Sequence, residues 1–277
     1  MMEAWAEDLS WQAERGLALA REFCTCKGRY HWSYGFMRAA GVMSSLRLEE
    51  ATLASLMGPL IGHGARVMIG GSADPGLLCV VGRFAEAKSP QITVVDRCNA
   101  PLALIAEFAA SRNVSCRTLN ADLLAIDGRE QWDNILLHYT PDFVDTASRP
   151  RFFDALASSL APKGTLVCSG MTGPKVPPDR TRDLEVALRT YTLNGLRQSP
   201  LAEREHDQEF GQLLDDYVVA CVQRRLNYPG ANDLSELLQR AGLRVIGEHV
   251  TPRKRRFFEI DADTPPDTSS IIIATRD

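Results

Sequence analysis

Between residues 64 and 170 short apolar runs alternate with helix-like stretches, and this block is flanked by two regions, residues 1–60 and about 178–225, that read as helical. Ala65–Ile69 is an apolar run that ends at Gly70-Gly71, and Pro75 then opens a helix through Phe84. Gln91–Asp96 reads as a second strand, Pro101–Ser111 as a helix and Ser115–Leu119 as a third strand. Trp132–Leu137 is a fourth strand, Arg151–Leu160 a helix, and Pro162-Lys163-Gly164 a turn into a fifth strand, Thr165–Cys168. Strands alternating with helices predict a parallel sheet with right-handed crossovers. Unbroken apolar triplets such as Ile135-Leu136-Leu137 predict that both faces of that sheet are covered. After the second helical region, Asp233 is placed to cap a helix over Leu234–Arg240 that ends at Ala241-Gly242. Leu243–Val250 and Ser269–Ala274 follow as strands with no helical pattern between them, which predicts an antiparallel hairpin. The expected fold is therefore α/β: a Rossmann-like, seven-stranded, mostly parallel sheet with a C-terminal antiparallel hairpin, plus helical caps. Residues 1–60 form an N-terminal helical lid, and residues 61–277 form the sheet domain with a helical insertion at about 178–230.

Doubly wound sheets bind ligands at the carboxyl ends of their strands, so those ends carry the candidate chemistry. The first is Gly70-Gly71-Ser72-Ala73-Asp74-Pro75-Gly76, where glycines let backbone approach a ligand and a helix start offers free amides. An ordinary tight turn is the plainer alternative. The second is Asp96-Arg97, 20 residues after Gly76, where an acid can accept both ribose hydroxyls of a nucleoside. The third is Asn120-Ala121-Asp122-Leu123, able to read an adenine amino group, although Asp122 is equally suited to capping the next turn. The fourth is His138-Tyr139-Thr140-Pro141, expected to face the reacting centre.

This succession resembles the class I S-adenosylmethionine-dependent methyltransferases. The resemblance rests on the Gly70–Gly76 loop, Thr93-Val94-Val95-Asp96, Asn120-Ala121-Asp122, Trp132-Asp133-Asn134 and Leu160-Ala161-Pro162-Lys163-Gly164-Thr165-Leu166. It covers roughly residues 60–175 and 233–277. It implies that Gly70, Gly71 and Gly76 cradle the methionine part of the cofactor, that Asp96 holds the ribose and that Asp122 reads the adenine. It implies methyl transfer to an O, N or S atom of a small-molecule acceptor, leaving S-adenosylhomocysteine. One departure stands out. The family's first strand carries an acid before the glycines, and here those positions are Met68 and Ile69. The cofactor's ammonium is then left to backbone carbonyls, to Asp74 or to the N-terminal cap. Gly71-x-Ala73-x-x-Gly76 also approximates a dinucleotide fingerprint, which keeps an NAD(P)-dependent oxidoreductase as a rival. A cofactor-binding subunit that transfers no methyl group is a third reading.

The lid holds Tyr30, His31, Trp32, Tyr34, Phe36 and Arg38 within nine residues. Aromatic faces attract a sulfonium by about 0.5–2 kcal/mol, which suits a lid over the cofactor, whereas a hydrophobic clamp is the simpler use. Tyr34 and Arg38 are the lid's candidate cofactor contacts, with Arg38 suited to the cofactor carboxylate. His31 and His138 are the candidate general bases. After a Ser44 or Ser45 cap, Leu46, Leu48, Ala51, Leu53, Leu56 and Met57 form an amphipathic face, read as core or dimer contact. The second cap is either a structural or dimer helix pair or a wall of the acceptor pocket.

Composition narrows the classes. The chain has 277 residues, 45% of them apolar and 24% charged, which excludes disorder. A net charge of −4 argues against a nucleic-acid partner. Arg253-Lys254-Arg255-Arg256 is the one basic run, read as a solvated turn before an acidic-substrate site. Apolar runs are too short to span a membrane, and the acidic start at Glu3 and Asp8 does not read as an export signal, so a cytoplasmic protein is expected. Seven cysteines argue against a disulfide framework. Cys24-Thr25-Cys26 is the single close pair and has no second pair or histidine cluster nearby in sequence, so no metal is expected. A homodimer is a further expectation of the resemblance.

Overall fold

The computed structural model describes residues 8–26, 29–43, 45–126, 128, 131–172, 178–226, 233–252 and 268–277. Three helices come first: α1 (Leu9–Phe23), α2 (Tyr30–Ala39) and α3 (Ser45–Leu60). β1 (Arg66–Gly70), α4 (Gly76–Gly82), α5 (Ala85–Lys88), β2 (Gln91–Asp96), α6 (Asn99–Ser111), β3 (Cys116–Asn120) and β4 (Trp132–His138) follow. Then come α7 (Arg149–Ser159), β5 (Leu160–Thr172), α8 (Thr181–Arg197), α9 (Gln208–Leu226), α10 (Asp233–Arg240), β6 (Arg244–Pro252) and β7 (Thr268–Thr275). The strands form one sheet in the order β3-β2-β1-β4-β5-β7-β6. β1 to β5 pair in parallel, and β7 lies antiparallel to both β5 and β6. The expected closing hairpin is thus present, with its second strand inserted beside β5.

Consecutive strand residues serve opposite faces, and each face is covered. Val67, Ile69, Val94, Leu136 and Val167 pack against Leu53 and Met57 of α3, Val81 of α4, and Ile105 and Phe108 of α6. Met68, Val95, Ile135, Leu137, Leu166 and Cys168 pack against Phe152, Phe153 and Leu156 of α7 and Leu234 and Leu238 of α10. Two-sided burial is why the strands read as unbroken apolar runs. Met68 and Ile69, which stand where the resembling family has an acid, are both fully buried and hold core positions on the two faces.

The predicted turn at Pro162-Lys163-Gly164 is corrected. These residues lie inside β5, which pairs Leu160 with Trp132 and then shifts register to pair Thr165 with Asn134. The shift is a bulge. Lys163 takes a left-handed backbone (φ 62°), and a Cβ on Gly164 would lie 2.8 Å from Ala161 O and 2.9 Å from Trp132 O. Bulge residues are turn formers, so a one-dimensional reading sees a turn.

The two helical caps are one body. Ala13 and Leu17 of α1, Phe36 and Met37 of α2, Leu196 of α8, and Phe210, Leu213 and Tyr217 of α9 share an apolar cluster. Phe36 meets Phe210 edge to face at 5.6 Å. α3, by contrast, joins the sheet core. Ser44 and Arg253–Arg256 lie outside the described residues. Among the described residues no helix is long and apolar enough to cross a membrane.

Candidate functional site

A cavity of about 550 Å³ opens at the carboxyl ends of the strands, within the range of roughly 300–1,000 Å³ typical of small-molecule sites. Gly71, Ser72, Ala73, Asp74, Asp96, Arg97, Asp122, Leu123 and His138 line it from the sheet side, and His31 and Tyr34 from the lid. The predicted strand ends therefore converge on one wall. Gly70, Gly76 and Arg38 are not among the residues that line the cavity.

The loop after β1 is held from both sides. Gly71 has φ 67°, and a Cβ there would come within 2.4 Å of Thr140 Cγ2. Thr140 Oγ1 donates to Gly70 O at 2.8 Å, tying the ends of β1 and β4. Ser72 Oγ donates to Asp74 O at 2.8 Å, and Gly76 N–H donates to Asp74 Oδ1 at 2.9 Å. Arg38 donates to Asp74 Oδ2 in a buried ion pair. The Arg38 guanidinium, expected from sequence to suit a cofactor carboxylate, thus pairs with the loop's own acid, and Arg38 is not among the residues that line the cavity. The pairing also explains why an acid stands inside the loop: two buried charges are tolerated because they pair.

Asp96 ends β2 almost fully buried. Burial pushes its carboxyl above the ordinary range, against the pull of the Cys98 N–H, which donates to Oδ1 at 2.7 Å. Asp122 lines the cavity and also caps its own turn, with Leu124 N–H donating to Oδ1 at 2.9 Å. The capping use weighed from sequence is observed, and the same residue stands on the cavity wall.

At the far end of the cavity the structure assembles a polar network around Glu49. This acid occupies the inward stripe of α3, three residues after Leu46 and four before Leu53, and is only 2% exposed. His138 Nε2 lies 3.1 Å from Glu49 Oε2. Tyr139 and Ser269 both donate to Glu49 Oε1. Burial works against the charge on Glu49, but hydrogen bonds and charge from His138, then Ser269 and Tyr139, hold its carboxyl down to about 2. Tyr139 reaches this network through a left-handed backbone (φ 59°) at the end of β4. Asp142, fully buried, accepts from Met171 N–H at 3.3 Å and faces Arg224 Nε at 3.4 Å. The Arg224 guanidinium lies 5.4 Å from both the Tyr139 and Phe143 rings. Glu49, Asp142 and Arg224 were missed from sequence. The one readable signal was a charge on the apolar stripe of α3.

The lid helix α2 divides its residues by face. Tyr30, His31 and Tyr34 turn to the cavity, while Phe36 and Met37 enter the cap core. The Tyr30 ring packs at a tilt against Tyr34 at 5.3 Å and Phe143 at 5.0 Å. His31, the second candidate base, lines the cavity but is engaged with cysteines. Its Nδ1 is 3.5 Å from Cys24 Sγ, and the charge of Asp96 acts on it, whereas His138 pairs with Glu49. Burial opposes its charge, yet hydrogen bonds to Cys24 and Cys26 and the charge of Asp96 raise it to about 9. Hydrogen bonds from Cys98 and His31 hold the Cys26 thiol down to about 4. An imidazole engaged with thiols is not poised to take a proton beside His138. Near neighbours in sequence show no thiol cluster, but the fold supplies Cys98 from 72 positions beyond Cys26.

The sheet order, the inserted antiparallel β7 and the strand-end cavity define the class I S-adenosylmethionine-dependent methyltransferase fold. Among the described residues the sheet is mixed, with β7 antiparallel to β5 and β6, unlike the uniformly parallel dinucleotide sheet of the rival reading. Among solved structures, the chain is similar to phosphoethanolamine N-methyltransferase 2 of Haemonchus contortus, in complex with phosphomonomethylethanolamine and S-adenosylhomocysteine. The identity is 12%, the TM-score 0.54, and the match covers 82% of this chain and 52% of that one, about half its length. It is also similar to a Galdieria sulphuraria protein provisionally described as a sarcosine dimethylglycine methyltransferase (11% identity, TM-score 0.53, 84% and 86% covered). A third is an O-methyltransferase family protein of Burkholderia thailandensis (13%, TM-score 0.50, 89% and 60% covered). No family profile and no curated protein matches the sequence.

Proposed function

We propose that the protein transfers a methyl group from S-adenosylmethionine to an O, N or S atom of a small-molecule acceptor. The observation that carries this reading is the convergence of the Gly71–Asp74 loop, Asp96 and Asp122 on one wall of a cavity roofed by α2 and α9. The residues present fit the cofactor. A buried acid at the end of β2 suits ribose hydroxyls, loop backbone lies at the wall, and Tyr30 and Tyr34 offer aromatic faces to a cation. When bound, S-adenosylmethionine supplies an already activated methyl group.

The chain's own work is then positioning and proton handling. Orienting two reactants contributes roughly 7–11 kcal/mol when they are well aligned. Asp96 and Asp122 fix the nucleoside part, and the Arg38–Asp74 pair keeps the loop in shape behind it. His138 faces the cavity and receives the acceptor's proton where the nucleophile must lose one. Glu49 holds the imidazole and stabilises its charged form, the arrangement of a base oriented by a buried acid. Asp142 and Arg224 present paired charges to the acceptor from the β4 end and from α9.

Incubation with methyl-labelled S-adenosylmethionine and a panel of small hydroxyl, amine and thiol acceptors tests this. Label is expected in at least one acceptor, with His138→Ala lowering kcat by about 10²–10⁴-fold while S-adenosylhomocysteine affinity is kept. Binding of S-adenosylhomocysteine with no label transfer to any acceptor would instead identify a cofactor-binding subunit.

A further inference from the structure

Three thiols and an imidazole meet where the lid touches the sheet. Cys24 and Cys26 follow α1, His31 lies in the first turn of α2, and Cys98 is the residue before α6, two positions beyond Asp96. One ligand atom from each lies within 4.8 Å of all the others. Among the described residues no other group of three or more histidine, cysteine and acidic side chains meets at such distances. Cys98 is 2% exposed and the other three are partly buried.

The dimensions match a particular ion. Bonds of about 2.3 Å to sulfur and about 2.0–2.1 Å to nitrogen, meeting at the tetrahedral angle, set a sulfur–nitrogen edge of roughly 3.6 Å and a sulfur–sulfur edge of roughly 3.8 Å. Cys24 Sγ and His31 Nδ1 are 3.5 Å apart. The longest edge of the cluster exceeds the tetrahedral value by at most about 1 Å, which a rotamer adjustment of a partly buried cysteine absorbs. Thiolate and imidazole donors select zinc over magnesium, calcium or manganese.

We propose that Cys24, Cys26, His31 and Cys98 form a structural zinc site. Four protein ligands close the coordination sphere, the pattern of structural and not catalytic zinc. The site would join the α1–α2 connection to the β2–α6 connection. Cys26 and His31 line the same cavity as Asp96, Tyr30 and Tyr34, so the ion fixes the lid's place on the cavity wall. Zinc here stabilises the folded lid, because the ligands come from segments that only folding brings together. The proposal does not depend on methyl transfer and stands whichever nucleotide the cavity takes.

The test is metal analysis of untagged protein purified under reducing conditions from zinc-supplemented culture. The expected result is about one zinc per chain, retained through dialysis and in Cys116→Ser, whose thiol lies outside the cluster. Zinc is expected to fall at least about tenfold in Cys24→Ser and His31→Ala. Replacement by cobalt in the wild-type chain is expected to give a sulfur-to-cobalt charge-transfer band and tetrahedral d–d bands. This readout needs no variant to fold. Zinc-free protein after loading, with all four groups open to thiol and histidine reagents, overturns the proposal. So does a disulfide between any two of Cys24, Cys26 and Cys98 in the non-reduced protein, or zinc content unchanged in both ligand variants.

Discussion

Replacing Glu49 by Gln removes one negative charge from the buried network and changes almost nothing in volume. The side chain is 2% exposed, and its two oxygens serve His138, Tyr139 and Ser269. Its carboxyl is held at about 2 in the folded protein against an ordinary value of 4.5. At about 1.4 kcal/mol for each tenfold change in acidity, ionised Glu49 contributes on the order of 3 kcal/mol at neutral pH. The sign follows from a lowered carboxyl. The contribution is complete above the unfolded value near 4.5 and is lost as pH falls from there toward about 2. Glu49→Gln keeps one acceptor for the hydroxyls but leaves His138 without its acid. The expected loss is therefore about 2–4 kcal/mol at pH 7. Urea unfolding followed by circular dichroism at pH 7 and again near pH 3 measures it. The gap between wild type and variant should narrow at the lower pH, because the wild type is then losing the same interaction. A variant within about 0.5 kcal/mol of wild type at pH 7, or two stabilities that fall in parallel with pH, would refute an ionised Glu49 in this network.

Arg38→Ala leaves Asp74 buried without its cation. It is expected to cost about 3–5 kcal/mol in chemical denaturation, with Arg38→Lys recovering part of it. Gly71→Ala puts a methyl group into Thr140 at a left-handed backbone position, and is expected to cost roughly 1–3 kcal/mol by thermal unfolding and to weaken S-adenosylhomocysteine binding. Gly71→Ala with Thr140→Ser, which removes the nearest clashing methyl but keeps Oγ1 2.9 Å from the new Cβ, should recover part of the packing share and leave the backbone share.

Much of the fold could be read directly because each strand is buried on both faces. Ile135-Leu136-Leu137 serves two cores at once, and no alternation is left to mislead. β5 was harder, since Pro162, Lys163 and Gly164 form a bulge that only the pairing with β4 distinguishes from a turn. Topology forces strand ends together, which is why Asp96, Asp122 and His138 could be grouped before any coordinates. Residues from other elements carry no such constraint. Arg224 arrives from α9 and Ser269 from β7, and nothing near them in sequence points to the end of β4. Glu49 was legible in principle, as a charge on a stripe that otherwise faces the core. The thiol cluster was not, because Cys98 joins Cys24, Cys26 and His31 only after α1, α2 and the β2–α6 connection have packed. The caps read as separate because residues 178–226 are far from 8–39 in sequence, yet Phe36 and Phe210 share one core.

Calorimetric titration with S-adenosylhomocysteine, with NAD(H) and NADP(H) run alongside, tests the central claim most directly. Saturable binding of S-adenosylhomocysteine alone is predicted, weakened at least about tenfold in Asp96→Ala, a loss of some 1.4 kcal/mol or more. Binding of a nicotinamide nucleotide instead, or S-adenosylhomocysteine affinity unchanged in Asp96→Ala, would contradict it.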